Sequence, residues 1–356
     1  EPGIRGGGAP PRTTRMRERE RQRPIDAGRL IELIDAFEGR RVAVFGDLIV
    51  DEFIYGEISR VSREAPVLIL NYDSTEILPG GAGNAANNVA ALGGRPVVVG
   101  LVGRDEAGDR LLAAMDGMDA KGIARPAGYR TPTKTRILAG GVHSAKQQVV
   151  RIDRASAPGF GEAFRSTIAP RLRRAVSRCD ALLVSDYGSG LVAPQLVSEA
   201  RKAMPSTRVP LLVDSRYSLL KFRGMTTCTP NESEVEALLG VRIGENTRVL
   251  ERSGRALLER TRARAVLVTR GSRGMALFEP ARPTVHIPIY GSDQIADVTG
   301  AGDTVIATMT LALASGATYE EAAHLANYAG GIVVMKRGTA TVSAEELRQA
   351  VLTDIG

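Results

Sequence analysis

The 356-residue sequence predicts an α/β fold: a mostly parallel central sheet covered on both faces by helices, with a small second sheet projecting from it. Three observations carry this expectation. From Ala181 onward, short apolar runs alternate with segments of helical periodicity, the pattern of parallel strands joined by helical crossovers. Two patches, at about 50–78 and 130–155, instead alternate apolar and polar residues and break that rhythm at separate points. The length suits one large domain over residues 26–356, which buries most of its unfolded surface without staples.

Taken in order, Ala27–Phe37 reads as an amphipathic helix, and Arg41–Phe45 (RVAVF) as a buried strand stopping at Gly46-Asp47. Phe53–Leu78 reads as antiparallel strands. Gly80–Leu92 opens with glycines and continues as an Ala/Asn-rich helix. Pro96–Leu101 is a strand and Asp109–Met118 a helix. Thr133–Asp153 is the second β-patterned patch, with a hairpin turn expected at Gly140-Gly141. Strands follow at Ala181–Ser185, Pro210–Asp214 and Ala265–Thr269, with helices at Pro194–Ala203, Glu232–Leu239 and Thr247–Arg260. A hairpin-like pair, Met275–Phe278 and Thr284–Ile287, precedes three closing helices, Ala301–Ser315, Tyr319–Lys336 and Ala344–Leu352. The two β-patterned patches are expected to form one small sheet that acts as a lid.

The net charge of +7 is concentrated at the start: residues 1–25 hold seven Arg against three Glu, leaving only +3 for the rest. A basic, Pro/Gly-rich, aromatic-free segment reads as a disordered tail, with Met16 as a candidate start, and argues against a nucleic-acid partner. Cys179 and Cys228 are too few for a disulfide framework, and His143, His286 and His324 are scattered, so no metal cluster is readable. No run of 18 apolar residues and no signal-peptide core occur, so the expectation is a cytoplasmic protein without a membrane partner.

Residues 297–304, DVTGAGDT, are the most informative segment. Gly300, Ala301 and Gly302 have almost no side chain, so their amides can approach an anion closely at a helix N-terminus. Asp303 beside that anion hole supplies what phosphoryl transfer to a hydroxyl requires, a base for the attacking oxygen. The same residues also fit a tight turn with an acidic helix cap. Gly80-Gly81-Ala82-Gly83-Asn84 is a second glycine cluster; Asn84 and Asn87 or Asn88 add amides on a buried helix, able to meet a polyhydroxylated ligand or merely to cap. No GK[ST] follows either cluster, so a P-loop is excluded. Asp47 and Asp186 follow strand ends, the ligand edge of an open parallel sheet, and fit either sugar hydroxyls or loop capping. Asn231 and Glu234 in TPNESE open a helix, as a cap or as a water-mediated Mg²⁺–phosphate site. Thr269–Gly274 adds a donor-rich loop at the same edge.

GGAGN (80–84) and DVTGAGD (297–303), in this order and spacing, together with TPNESE (229–234) and VTRGSRG (268–274), resemble the PfkB, or ribokinase-like, carbohydrate kinases across residues 40–352. Within that family, segments 46–67, 78–93, 133–138, 147–153, 185–190 and 336–343 are similar to the heptose 7-phosphate kinases; their nucleotidyltransferase half is expected to be absent. The resemblance implies a ribokinase-like three-layer α/β/α fold and ATP- and Mg²⁺-dependent phosphorylation of a sugar hydroxyl. For the heptose enzymes that hydroxyl is O1 of D-glycero-β-D-manno-heptose 7-phosphate, and the product is the 1,7-bisphosphate. Asp303 is then the general base, and Gly300, Ala301 and Gly302 hold the transferring phosphoryl group. Asp47, Gly80, Gly81, Asn84 and Asp186 hold the sugar, with Arg136 on its phosphate. Asn231, Thr269, Gly271, Gly274, Asn327 and Gly330 line the nucleotide site, and Glu234 reaches Mg²⁺ through water.

The chain departs from the heptose kinases at Ser189, where the resemblance implies a Lys; Arg216, Lys221 and Arg63 are the candidates to compensate. Two alternatives remain at this level: a kinase of another sugar or nucleoside, and a catalytically silent sugar-binding protein, which intact Asp303 disfavours. An exposed small sheet offers a pairing edge, so a homodimer through the lid is expected.

Overall fold

The computed structural model describes residues 26–140, 146–154, 159–291, 298–336 and 340–355. The basic segment 1–25, Gly141, His143 and Asp297 lie outside the described residues.

Nine strands form the central sheet: β1 (Arg41–Gly46), β4 (Arg95–Leu101), β5 (Asp119–Ala124), β8 (Ala181–Asp186), β9 (Leu211–Ser215), β10 (Thr227–Cys228), β11 (Ala265–Thr269), β12 (Met275–Phe278) and β13 (Val285–Ile287). Their order is β13-β12-β11-β10-β9-β8-β1-β4-β5. Pairing is parallel from β5 to β11 and antiparallel only at the β11-β12-β13 edge. The chain starts in the middle, builds outward through β4 and β5, then returns to the other side of β1 at β8. That reversal opens a crevice at the carboxyl ends of β1 and β8, where open α/β sheets bind ligands.

The helices sort by strand alternation, because successive side chains of a strand face opposite layers. Val42, Val44, Ala181, Leu183, Leu212, Ala265 and Leu267 face one core. It is covered by α1 (Ala27–Asp35), α2 (Ala82–Ala91), α3 (Glu106–Ala114), α8 (Ala301–Ala314), α9 (Tyr319–Val333) and α10 (Ala344–Ile355). Ala43, Phe45, Leu182, Val184, Val213, Val266 and Val268 face the other. That side is covered by α4 (Arg165–Val176), α5 (Pro194–Lys202), α6 (Glu232–Leu239) and α7 (Thr247–Thr261). Both layers are packed, which gives the expected three-layer α/β/α arrangement. No helix among the described residues is long and apolar enough to cross a membrane.

Two long strands, β2 (Leu48–Val61) and β3 (Leu68–Gly81), leave the body directly from the end of β1. They join β6 (Thr133–Gly140) and β7 (Gln147–Arg154) in a separate sheet of order β3-β2-β6-β7, antiparallel except for the parallel β2–β6 pair. The two β-patterned patches therefore do share one projecting sheet. The hairpin expected at Gly140-Gly141 falls partly outside the described residues, and β7 resumes only at Gln147.

Several elements differ from the sequence reading. Glycines Gly80 and Gly81 close β3 rather than opening a helix, since Gly81 takes φ +58° and α2 begins at Ala82. Helix α3 starts at Glu106, three residues before the expected Asp109, because the Asp105 side chain caps it by accepting from the Gly108 amide. Edge strand β5, the two-residue strand β10 and helix α4 were not expected. Helix α4 carries Pro170 and is rich in Arg, yet it buries Ile168, Leu172, Ala175 and Val176 at helical spacing.

Gly46 sits where β1 and β8 are closest. A Cβ there would lie 2.0 Å from the Ser185 carbonyl oxygen, a backbone atom that cannot swing away. Gly46→Ala should therefore wedge the crevice strands apart and cost about 1–3 kcal/mol of stability. Chemical denaturation of the two proteins measures it, and an unchanged midpoint would contradict this packing.

Candidate active site

Strand ends and helix starts converge in a cleft of about 440 Å³ at the carboxyl edge of the sheet. Of the residues expected from sequence, Asp186, Asn231, Glu234, Thr269, Gly271, Gly274, Gly300, Ala301, Gly302, Asp303, Asn327 and Gly330 line it. Asp47, Gly80, Gly81, Asn84 and Arg136 do not line this cleft. They lie behind it or on the projecting sheet.

Helix α8 begins at Gly300 in the left-handed region, φ +79°, with no side chain capping its first turn. A Cβ on Gly302 would meet open space. The helix start is thus a short-side-chain, uncapped N-terminus facing the cleft, the arrangement that binds anions. The capping role open to Asp303 in the sequence is not adopted. Its carboxylate turns instead to Asn84, whose Nδ2 donates to Oδ2 at 2.8 Å, and to Tyr187, whose hydroxyl donates to Oδ1 at 3.2 Å.

Asp303 is only 4% exposed, and burial raises its pKa from 3.8 to about 7. The Asn84 and Tyr187 hydrogen bonds pull it back down, Asp51 pushes it up, and Lys134 pulls it down. A carboxyl group held near neutrality is matched to taking a proton from a hydroxyl.

Asn84 is fully buried and belongs to a chain of hydrogen bonds between α2 and α8. The Thr304 hydroxyl donates to Asn88 Oδ1 at 2.8 Å, Asn88 Nδ2 to Asn84 Oδ1 at 3.2 Å, and Asn84 Nδ2 to Asp303. Every donated proton in the chain runs toward fixing the Asp303 carboxylate. Asn84 is thus placed on Asp303, and no contact places it at the cleft surface.

Asp47 and Asp186 adopt the loop-holding geometry that the sequence left open. Asp47 accepts from the amides of Tyr187 at 2.8 Å and Ser189 at 3.2 Å, and from the Ser189 hydroxyl. Asp186 accepts from the Gly188 amide at 3.0 Å and the Ser215 hydroxyl at 2.7 Å. Burial, with help from Asp186, raises the Asp47 pKa. Ser189, the position of departure from the heptose kinases, is therefore a staple of this loop.

Asn231 and Glu234 form a reciprocal capping box: Asn231 Oδ1 accepts from the Glu234 amide at 2.9 Å, and Glu234 Oε2 from the Asn231 amide at 3.0 Å. Both also line the cleft. Asp214, at the end of β9, lines it beside them, and its pKa is held well above 3.8 by burial and by Glu234, Asp303 and Asp186. Among the described residues no three His, Cys, Asp or Glu converge closely enough to chelate a metal directly. Asn327 donates to the Pro288 carbonyl at 2.9 Å, fixing the loop that brings Ile289 to an apolar side of the cleft with Met275, Val305 and Val334.

Above the crevice the projecting sheet presents Asp51, Phe53, Lys134, Arg136, Arg151 and Asp153 on one face, as the register pairs them. Arg136 forms a buried ion pair with Asp51 at 2.6 Å, and Arg151 pairs with Asp153. Lys134 Nζ sits 4.7 Å over the Tyr187 ring. Burial lowers its pKa, and Arg151, Arg216 and Arg136 lower it further. Lys134 and Arg216 make no ion pair among the described residues. Of the basic groups considered for Ser189, Arg216 lines the cleft, Lys221 lies in a separate surface depression, and Arg63 is exposed at the far end of the projecting sheet.

Sequence reasoning missed Tyr187, Lys134, Arg151 and Asp214. Asp214 was findable, because it sits at the carboxyl end of β9 as Asp186 does in β8 and Asp47 just past β1.

A raised carboxyl pKa has a stability consequence. Asp303 favours folding below about pH 4, and that contribution is lost as pH rises through about 7. Asp303→Asn should therefore be more stable than the parent at pH 8, by at most about 4 kcal/mol, with the gap closing near pH 4. Thermal melts of both proteins from pH 4 to 8 check it; a variant less stable at pH 8 would contradict the buried, raised carboxyl.

The pattern of the pfkB family carbohydrate kinases matches residues 40–347. The bifunctional proteins HldE of Desulfatibacillum aliphaticivorans and Alkalilimnicola ehrlichii are 40% and 42% identical over 321 residues each, covering 88% of this chain. The chain spans about 64% of the length of these two relatives. In fold it is similar to ribokinase of Arabidopsis thaliana complexed with ribose and ATP, with TM-score 0.64, 20% identity, and 89% and 99% of the two chains covered. It is also similar to phosphofructokinase-2 of Escherichia coli in complex with fructose-6-phosphate, with TM-score 0.68, 19% identity, and 89% and 99% covered.

Proposed function

This chain belongs to the pfkB family of carbohydrate kinases, and from that premise we propose that it phosphorylates a heptose 7-phosphate at O1, using ATP and Mg²⁺. The observation that carries the choice of a phosphorylated sugar is the charge over the crevice. Lys134, Arg136 and Arg151 stand against Asp51 and Asp153, a surplus of one positive charge on the sheet beside Tyr187, and Arg216 adds a cation from the cleft, where it also faces Asp214 and Glu234. A phosphate monoester carries about −1.5 to −2 at neutral pH and complements this positive charge. Likeness to HldE proteins over most of the chain supports a heptose as the sugar.

In the proposed reaction the Asp303 carboxylate accepts the proton of the sugar hydroxyl as its oxygen attacks the γ-phosphorus of ATP. The bond to the ADP oxygen breaks, and the start of α8 at Gly300, Ala301 and Gly302 faces the charge on the transferring group. The adenine is assigned to the apolar side formed by Met275, Ile289, Val305 and Val334, near Asn327 and Gly330. Thr269, Gly271 and Gly274 are assigned to the phosphates.

Mg²⁺ fits this cleft. Asp214 and Glu234 are oxygen donors whose ionised forms are disfavoured by burial, and for Asp214 also by its acidic neighbours, and a cation relieves that cost. Glu234 would hold it through water, with Asp214 beside it, and the cation would supply positive charge against the phosphates. Asp186 and Asp47 would shape the sugar side by holding the loop 187–189. Gly80 supports that side indirectly, since a Cβ there would meet Asp51 Oδ2 at 2.2 Å. Ile58, Val61, Val67, Leu68, Tyr72 and Val150 are exposed apolar residues on the projecting sheet, and we assign them to a homodimer contact.

Kinase assays with heptose 7-phosphate, ribose, fructose and fructose 6-phosphate test the assignment. Heptose 7-phosphate should give the highest kcat/KM, with a bisphosphate product, and preference for an unphosphorylated sugar would reject it. Arg216→Ala should raise KM for the phosphorylated sugar about tenfold or more while changing kcat less. For the dimer, Tyr72→Glu with Val150→Glu should give a monomer by sedimentation; an unchanged mass would exclude that face.

A further inference from the structure

We infer that Tyr187 is a positioning residue for phosphoryl transfer: anchored by Asp47 and covered by Lys134, it fixes the orientation and charge state of Asp303. This rests on the reading of Asp303 as the base. Three contacts define the role. The Tyr187 amide donates to Asp47 at 2.8 Å, which fixes the backbone just past β8. Its ring lies under the Lys134 ammonium at 4.7 Å, which fixes the side chain from the projecting sheet. Its hydroxyl donates to Asp303 Oδ1 at 3.2 Å, opposite the Asn84 bond to Oδ2. Each carboxylate oxygen thus has one fixed donor and keeps a lone pair for the incoming proton.

The charged and titratable groups facing Asp303 are Asp51 from β2, Lys134 from β6, Asp214 from β9 and Tyr187 itself. Asp51 and Asp214 disfavour its ionised form, and Lys134 favours it. Tyr187 stays a phenol throughout the working range, because burial and the neighbouring acids, Asp303 first among them, push its own ionisation well above the usual value. It therefore acts as a permanent donor that stabilises the carboxylate form without taking a proton itself.

The relation to Asp47 follows. The acid that ends β1 reaches the acid that starts α8 through one aromatic side chain, so the loop 187–189 connects the crevice strands to the base. Lys134 extends the connection to the projecting sheet, so that movement of that sheet changes what covers the ring.

The test is the pH dependence of kcat for the full chain, at saturating ATP, Mg²⁺ and heptose 7-phosphate. Tyr187→Phe removes only the hydroxyl. The acidic limb of its profile should move up by about one pH unit, with smaller change on the alkaline plateau. Incorporating 3-fluorotyrosine at position 187 makes the phenol a stronger donor and should move the limb the other way. A limb unmoved in both proteins would overturn the positioning role even if activity fell, since a loosened fold does not shift it in opposite directions. Asp303→Asn separates this outcome from failure of the underlying reading: near-parental turnover in that variant removes Asp303 as the base, whereas loss of turnover with an unmoved limb removes only Tyr187.

Discussion

A carboxylate taken out of water must recover its lost solvation from fixed donors, and the arrangement around Asp303 follows from that requirement. Burial, with Asp51 adding to it, holds its pKa at about 7 even with two hydrogen bonds and Lys134 opposing. Those two bonds come from elements far apart in sequence, Asn84 on α2 and Tyr187 after β8. Each donor must in turn be held. Asn84 is oriented by Asn88, which is oriented by Thr304 one residue past the base, so the network closes on the helix that carries it. Tyr187 is held by Asp47. The residue types that looked like sugar ligands in the sequence are, in the structure, largely the scaffolding of one acid.

The topology makes this possible. Because β1 lies between β8 and β4, the residues just past β1 and β8 meet across the crevice, and Asp47 can reach the loop after Asp186. The close approach of Gly46 to Ser185 sets that distance. The next residues after Asp47 begin β2, so the projecting sheet is attached to the body at the same point.

The fold was legible where periodicity was clean. Parallel strands β8, β9 and β11 and helices α5 to α9 were readable from apolar runs and helical spacing, whereas the two-residue β10 is too short to show a pattern. Helix α4 was not, because its Arg-rich exposed face and Pro170 masked four correctly spaced apolar residues. The cleft was legible through glycines: Gly300, Gly302, Gly271, Gly274 and Gly330 all line it, because close backbone approach leaves few other choices. What the sequence could not convey is orientation. Asn84, Asp47 and Asn231 have the chemistry of ligands and of structural donors or acceptors alike, and only the pairing of distant segments decides between these. Tyr187 was hidden for the same reason; a Tyr after a strand has no distinguishing neighbour until α8 is brought 116 residues back to meet it.

Charge separation across Tyr187 ties the two substrates together. On the cleft side, Asp303, Asp214, Asp186 and Glu234 gather; burial raises the pKa values of Asp303, Asp214 and Glu234, and at Asp214 the other three acids add to it. On the side of the projecting sheet, Lys134, Arg136 and Arg151 outnumber Asp51 and Asp153; burial lowers the Lys134 pKa, Asp51 opposes this, and Arg151, Arg216 and Arg136 add to it. The two groups act on each other: Lys134 lowers the Asp303 pKa and Arg216 those of Asp214 and Glu234, while the Tyr187 ring lies under Lys134 and its hydroxyl bonds Asp303. In the proposed reaction a metal-bound nucleotide would relieve the acids and a sugar phosphate the cations. Asp303 lies between them, so its proton affinity would depend on both: a dication nearby would lower it, and an anion over Lys134 would raise it. A carboxyl poised near neutrality is the one kind of acid for which such opposing shifts decide its charge state at the moment the hydroxyl arrives.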